Sequence, residues 1–227
     1  MNARVGAAWT AEPVGERMLL LRLGTTIDAS LNARVHALAA ALRAAGLDGI
    51  VDLVPAYASL AIHYDPLAWS DGAEAPWRRL ERALRMHAST APSVPASRRV
   101  EIPVRYGGDD GPDLEPVARR TGLEAEEVVR RHAGATYRVA MLGFAPGFPY
   151  LLGLDPALQL PRRAEPRLRV PAGSVAIGGA QTGIYPRELP GGWHLVGRTP
   201  LSLFDPASEP PCLLAPGDEV RFQPLPR

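Results

Sequence analysis

Apolar positions follow two different rhythms along the chain. The run Arg17–Leu23 (Arg-Met-Leu-Leu-Leu-Arg-Leu) is short, apolar and ended by Gly24, which suits a buried strand. A helix follows, with Leu31, Val35, Leu38 and Leu42 at 3–4 spacing, Ser30 as its expected cap and Gly46 just past its end. Ile50–Val54 and Ala58–Tyr64 read as a strand pair, with Ala58, Leu60, Ile62 and Tyr64 on one face. Pro76 opens a second helix, with Trp77, Leu80 and Leu84 on its buried stripe and Glu81/Arg85 as an i,i+4 pair. Residues 1–90 are therefore expected to form a small α+β domain.

Residues 88–98 carry almost no large apolar side chain and two prolines, and make the best linker. Beyond them Val100, Ile102, Val104 and Tyr106 alternate, so a second domain over 99–227 is expected to begin with a half-buried strand. Two short helices follow. One starts near Asp113 and stops at Gly122; the other has Glu124, Glu126 and Glu127 in its first turn and Arg130, Arg131 and His132 in its last, as the helix dipole favours. From Tyr137 the pattern is all β: 137–142, 174–177, 183–185, 194–196, 201–204 and 219–222. Glycine and proline occupy 20 of residues 1–135 but 26 of residues 136–227, so the second half is a series of short segments broken by turns, as in a small barrel or sandwich.

Composition narrows the chemistry. Twenty-five basic and 24 acidic side chains leave +1, which speaks against a nucleic-acid footprint. The paired helices at 113–133 resemble a helix-turn-helix only loosely, and acidic residues in their connection count against it. Every basic residue is arginine. Without lysine there is no Schiff base, no GxxxxGK[ST] phosphate loop and no biotinylated or lipoylated lysine on these residues. The single cysteine, Cys212, excludes an internal disulfide. No run approaches a membrane span and the N-terminus shows no apolar signal core, so a soluble cytoplasmic protein is expected. The five histidines show no metal-ligand spacing, no metal site is predicted, and neither GxSxG nor GxGxxG is present.

The informative stretch is 132–206. It holds GFAPGFPYL (143–151), PAGSVAIGG followed by Gln181 and TGIYP (171–186), and PGGW followed by GRTP (190–200). Glycines and prolines this dense fix loop paths and carry Tyr150, Arg169, Gln181, Tyr185, Trp193 and Arg198 on rigid turns, an arrangement that suits a concave site at one end of a barrel. The ordinary alternative is that these turns merely close a proline-rich barrel, and several single residues have ordinary readings as well. His132 ends an arginine-rich helix and reads equally as a surface group or a proton carrier. Ser174 has no visible base and reads as a turn hydroxyl rather than a nucleophile. Tyr185 and Trp193 also suit a barrel core. Arg138, inside an apolar strand, is expected to face solvent.

These motifs resemble the family of 5-oxoprolinase B subunits, also described as allophanate hydrolase subunit 1 or KipI-like kinase inhibitors, with carboxyltransferase subdomains C and D. Glu101-Ile102-Pro103-Val104, Tyr106-Gly107-Gly108 and Gly111-Pro112-Asp113-Leu114 extend the resemblance upstream. It implies an α+β fold, a small N-terminal domain followed by a cyclophilin-like β-barrel. It also implies a non-autonomous subunit of an ATP-dependent enzyme that opens the 5-oxoproline lactam to glutamate. The partners implied are a second carboxyltransferase-like subunit (C-like) and a hydrolase-like subunit (A-like), with ATP used by the complex and no covalently bound cofactor. Two other activities share the motifs: the carboxyltransferase part of a urea carboxylase system, and histidine-kinase inhibition without catalysis. The candidate catalytic residues are His132, Arg169 and Arg198, with Arg162 and Arg167 as further cations. Phe148, Tyr150, Ser174, Gln181, Tyr185 and Trp193 are the candidates for substrate or subunit contact.

Overall fold

The computed structural model describes residues 9–87 and 97–226, so most of the expected linker lies outside the described residues. The chain divides into two compact units, Met1–Ala96 and Ser97–Arg227, each with its own apolar core.

The first unit runs β1 (Thr10–Val14), β2 (Met18–Arg22), α1 (Ala29–Ala45), β3 (Ile50–Pro55), β4 (Ser59–Tyr64) and α2 (Pro76–His87). Its antiparallel sheet has the order β1-β2-β4-β3. The alternation in β4 buries Leu60, Ile62 and Tyr64, and α1 covers the sheet with the stripe Leu31, Val35, Leu38 and Leu42. Two details depart from the sequence pattern. Asp28, not Ser30, caps α1: its carboxylate accepts from the Leu31 N–H at 2.8 Å, and the Ser30 hydroxyl donates to the same carboxylate. Strand β1, with a mostly exposed Thr-Ala-Glu-Pro-Val, has no apolar alternation to announce it.

The second unit opens with β5 (Arg99–Tyr106), α3 (Leu114–Thr121) and α4 (Ala125–Gly134). It continues with β6 (Tyr137–Leu142), β7 (Pro149–Leu152), β8 (Arg167–Val170), β9 (Ser174–Gly178), β10 (Gln181–Ile184), β11 (Leu189–Gly191), β12 (His194–Arg198) and β13 (Glu219–Pro224). Seven strands close a barrel in the order β10-β7-β6-β13-β5-β12-β9, while β8 and β11 form a separate two-stranded sheet. Among the described residues only β5 and β13 pair in parallel. Inward positions fill the barrel: Ile102 and Val104 from β5, Val220 and Phe222 from β13, Val175 and Ile177 from β9. Each such side chain contributes roughly 1.5–3 kcal/mol by leaving water. Residues 201–204 do not form the expected strand; Phe204 makes a single bridge to Cys212, because prolines at 200 and 206 interrupt any longer ladder.

His132 is a second correction. It is neither at the surface nor open to a ligand, but fully buried on α4 against Phe222, whose ring stacks on it at 4.6 Å. The Thr182 hydroxyl donates to the Ala176 carbonyl at 2.9 Å, so it accepts from His132 Nε2–H, also at 2.9 Å. His132 Nδ1 is then the acceptor for the Tyr106 hydroxyl at 2.7 Å. Burial lowers the imidazole pKa to about 3, so the ring is neutral. Arg138 likewise does not simply face solvent: it is half-buried, with its Nε out of contact with water. Among the described residues no helix is long and apolar enough to cross a membrane.

Candidate functional site

The β6–β7 hairpin starts the site. Its turn, Gly143-Phe144-Ala145-Pro146-Gly147-Phe148, is held by Phe148 N–H donating to the Ala145 carbonyl at 3.0 Å and Gly143 N–H donating to the Phe148 carbonyl at 3.2 Å. Phe144 takes a left-handed φ of 67°, a conformation that is strained for a bulky side chain. The turn leaves the Phe144 ring 61% exposed at a rim, edge-on to the buried Phe148.

Around Phe148 the chain assembles an aromatic box. Tyr150 on β7, Tyr185 just after β10 and Trp193 just before β12 have ring centroids 5.0, 5.1 and 5.7 Å from that of Phe148. Tilted and edge-to-face contacts of this kind are favourable beyond the area they bury. The glycines of the motifs make room for these rings. A side chain at Gly178 would meet the Trp193 ring within 2.6–2.7 Å, and one at Gly191 would collide with the Tyr185 hydroxyl. The box opens into a cavity of about 310 Å³, walled also by Phe144, Arg162, Arg163, Pro166 and the Pro190-Gly191-Gly192 turn. That volume is at the small end of ligand sites. Burial raises the pKa of the Tyr150 and Tyr185 phenols, with the backbone N–H of Trp193 offsetting part of the effect at Tyr185, so both hydroxyls are protonated at neutral pH.

Charge in this region is sorted by Asp113. Burial alone would raise its pKa, but Arg167, the Leu195 N–H and Arg163 outweigh burial and hold the carboxyl below its usual range. Arg167 binds both oxygens at 2.8 Å, Leu195 N–H donates at 2.7 Å, and Arg163 approaches at 3.3 Å. Arg162, the neighbour of Arg163, instead lies over the Trp193 ring with its guanidinium carbon 5.8 Å from the centroid.

Residues 9–214 match the model of the family described as carboxyltransferase domain, subdomain C and D. The chain belongs to that family. It is 43% identical to the 5-oxoprolinase B subunit of Bacillus subtilis (strain 168), over 93% of this chain and 90% of the relative. It is 45% identical to the 5-oxoprolinase B subunit of Escherichia coli O157:H7, over 93% of this chain and 94% of the relative. Among solved structures, TTHA0988 superimposes with a TM-score of 0.79 at 46% identity; the match takes in 93% of this chain but only 40% of TTHA0988, which is a much longer polypeptide.

Four of the residues expected at the site of a family member, Phe148, Tyr150, Tyr185 and Trp193, line one cavity. The others stand elsewhere. Ser174 and Gln181 are buried at the starts of β9 and β10, outside the cavity lining. Arg169 is exposed on β8, 3.7 Å from Glu188. Arg198 reaches the Ala172 carbonyl at 3.1 Å and Asp110 at 3.6 Å. Asp110 belongs to a separate recess of about 630 Å³ that is shaped largely by the 107–112 turn and edged by Asp109 and Glu115. His132 lies in the barrel core. Among the described residues no three histidine, cysteine or carboxylate side chains are grouped to hold a metal. Sequence reasoning missed Asp113 as the organiser and Phe144 as the rim. Gly143 and the Pro146-Gly147 pair, which mark a tight turn around Phe144, were the local signal for it, and the partners of Asp113, 50 to 82 residues away, left none.

Proposed function

We propose that this chain is a non-autonomous subunit of a cytoplasmic 5-oxoprolinase complex, in which its aromatic box forms one wall of the site that opens the lactam of 5-oxoproline to glutamate. The observation that carries this reading is the box itself. All three motif runs converge on one small cavity, in a chain 43% identical to a 5-oxoprolinase B subunit across nearly its whole length. A five-membered lactam is an unstrained, resonance-stabilised amide, which explains why its opening would be coupled to ATP. The box does not fit a triphosphate. Asp113 takes up Arg163 and Arg167, leaving only Arg162 facing it, too little positive charge for a polyanion. The nucleotide therefore belongs elsewhere in the complex. This chain's residues would seat the flat ring in the cavity against the packed face of Phe148, Tyr150 and Trp193 and keep water from it, with a C-like second carboxyltransferase half and an A-like hydrolase subunit completing the site.

The test is release of ADP and glutamate from 5-oxoproline by the three subunits of the source organism, with and without this chain. Loss of glutamate on omission supports the assignment. Normal turnover without it, or silence of the full set, would redirect the search to carboxyl transfer and sensor-kinase binding.

A further inference from the structure

We propose that Arg162 is the specificity-determining residue of the aromatic box, pairing with the carboxylate of a small ring-bearing ligand. This inference rests on the reading of the box as a ligand site. It begins with the fate of five arginines around the box, Arg162, Arg163, Arg167, Arg169 and Arg198; Arg187, just after the 171–186 run, is outside the cavity lining. Arg163 and Arg167 share Asp113, Arg169 stands by Glu188, and Arg198 stands by Asp110. Arg162 alone of these five has no carboxylate within ion-pair distance among the described residues, and it alone has its guanidinium over an aromatic ring of the box.

Its surroundings sharpen the point. The cavity lining contains no carboxylate, so Arg162 contributes a charge that nothing in the lining cancels, while that of Arg163 is already met by Asp113. The two adjacent arginines are separated by the backbone. Arg163 N–H donates to the Gly192 carbonyl at 2.7 Å, which pins the chain where one side chain turns to Asp113 and the next lies across Trp193. A guanidinium over an indole face satisfies its π surface and keeps its in-plane N–H donors available, and that planar fork matches the two oxygens of a carboxylate. Arg162 is exposed, so the pair is strengthened only as far as the ligand ring displaces water from the aromatic face beneath it. One guanidinium balances one negative charge, so a phosphate dianion would enter with a charge left over between apolar walls, which disfavours it.

The site thus selects by two features at once: a flat ring for the box and one carboxylate for Arg162. The decisive comparison is between ligands of equal shape and different charge. Benzoate and benzamide make such a pair, and their use does not depend on the enzyme reading. Titration of the isolated chain, followed at the Trp193 indole N–H by NMR, should show benzoate binding about 10- to 100-fold more tightly than benzamide, and inorganic phosphate not competing. Arg162→Gln, an exposed position whose loss leaves the core intact, should bring benzoate down to the benzamide level without changing benzamide. In the reconstituted complex the same variant should raise KM for 5-oxoproline about tenfold or more with little change in kcat, and abolish discrimination against its carboxamide. The inference is overturned by equal binding of benzoate and benzamide, by no binding of either, or by discrimination that survives Arg162→Gln. A complex silent toward 5-oxoproline, with benzoate selectivity still dependent on Arg162, would sink the enzyme assignment and leave the carboxylate site standing.

Discussion

Replacing Asp113 by asparagine probes how charge is distributed around the box. The carboxylate is 5% exposed and accepts four hydrogen bonds: Oδ2 from Arg167 and Leu195 N–H, Oδ1 from Arg167 and Arg163. An amide offers one oxygen and one NH₂ group. With its oxygen in the Oδ2 place, the NH₂ faces the Arg167 and Arg163 donors; flipped, it faces Arg167 and the Leu195 N–H. Either way two donors meet donors, and two guanidiniums lose their counter-charge. Breaking a buried pair by removing one partner costs about 3–5 kcal/mol. Because the two arginine side chains are 25% and 34% exposed and can turn to water, the lower end, roughly 3 kcal/mol, is expected. For a unit of this size that is a fall in Tm of about 6–12 °C. Calorimetry reads the midpoint, and amide exchange at Leu195 reads the site, with protection expected to fall about a hundredfold. In the unaltered protein this contribution is complete above the unfolded-state pKa near 3.8 and is lost as pH falls through the depressed folded value. The variant should lack that acid-side loss. Destabilisation under about 1 kcal/mol, with Leu195 still protected, would mean that Asp113 does not neutralise Arg163 and Arg167. The isolation of Arg162 would then lose its basis.

Three further outcomes follow from the same geometry. His132 is held neutral with a pKa of about 3 against an unfolded value of 6.5, so the unfolded chain binds more protons between those limits. Stability should therefore fall by up to about 1.4 kcal/mol per pH unit on acidification below about 6.5, and His132→Gln should flatten that slope in pH-dependent urea unfolding. Gly178→Ala places a methyl against the Trp193 ring and should cost about 1–3 kcal/mol, with the Trp193 side-chain NMR signals displaced; an unshifted indole would contradict the packing. Asp28→Ala should lower the melting midpoint of the first unit, whereas Ser30→Ala should leave it nearly unchanged, since only Asp28 accepts from the Leu31 N–H.

What the chain discloses about itself follows the range of the forces involved. Apolar alternation in Val100–Tyr106 and the 3–4 spacing of Leu31, Val35, Leu38 and Leu42 are local consequences of burial, and each is enough to name its element. The aromatic residues Phe148, Tyr150, Tyr185 and Trp193 also stand out, because glycines and prolines on either side mark turns that must be rigid. Their convergence on one cavity is not readable in the same way, since it depends on closure of a seven-stranded barrel. Charge is least legible of all. Along the sequence Arg162, Arg163, Arg167, Arg169 and Arg198 are equivalent cations, and nothing local separates them. Electrostatic role is assigned by partners brought from far along the chain: Asp113 comes 50 and 54 residues from Arg163 and Arg167, and Asp110 reaches Arg198 from the turn that follows the neighbouring strand β5. A guanidinium already matched to a carboxylate has little field left for a ligand, so the candidates can be ranked only by finding which one the fold leaves without a mate. By that criterion the arginine that matters is set apart from its neighbour Arg163 less by its own position than by where the chain sends Asp113.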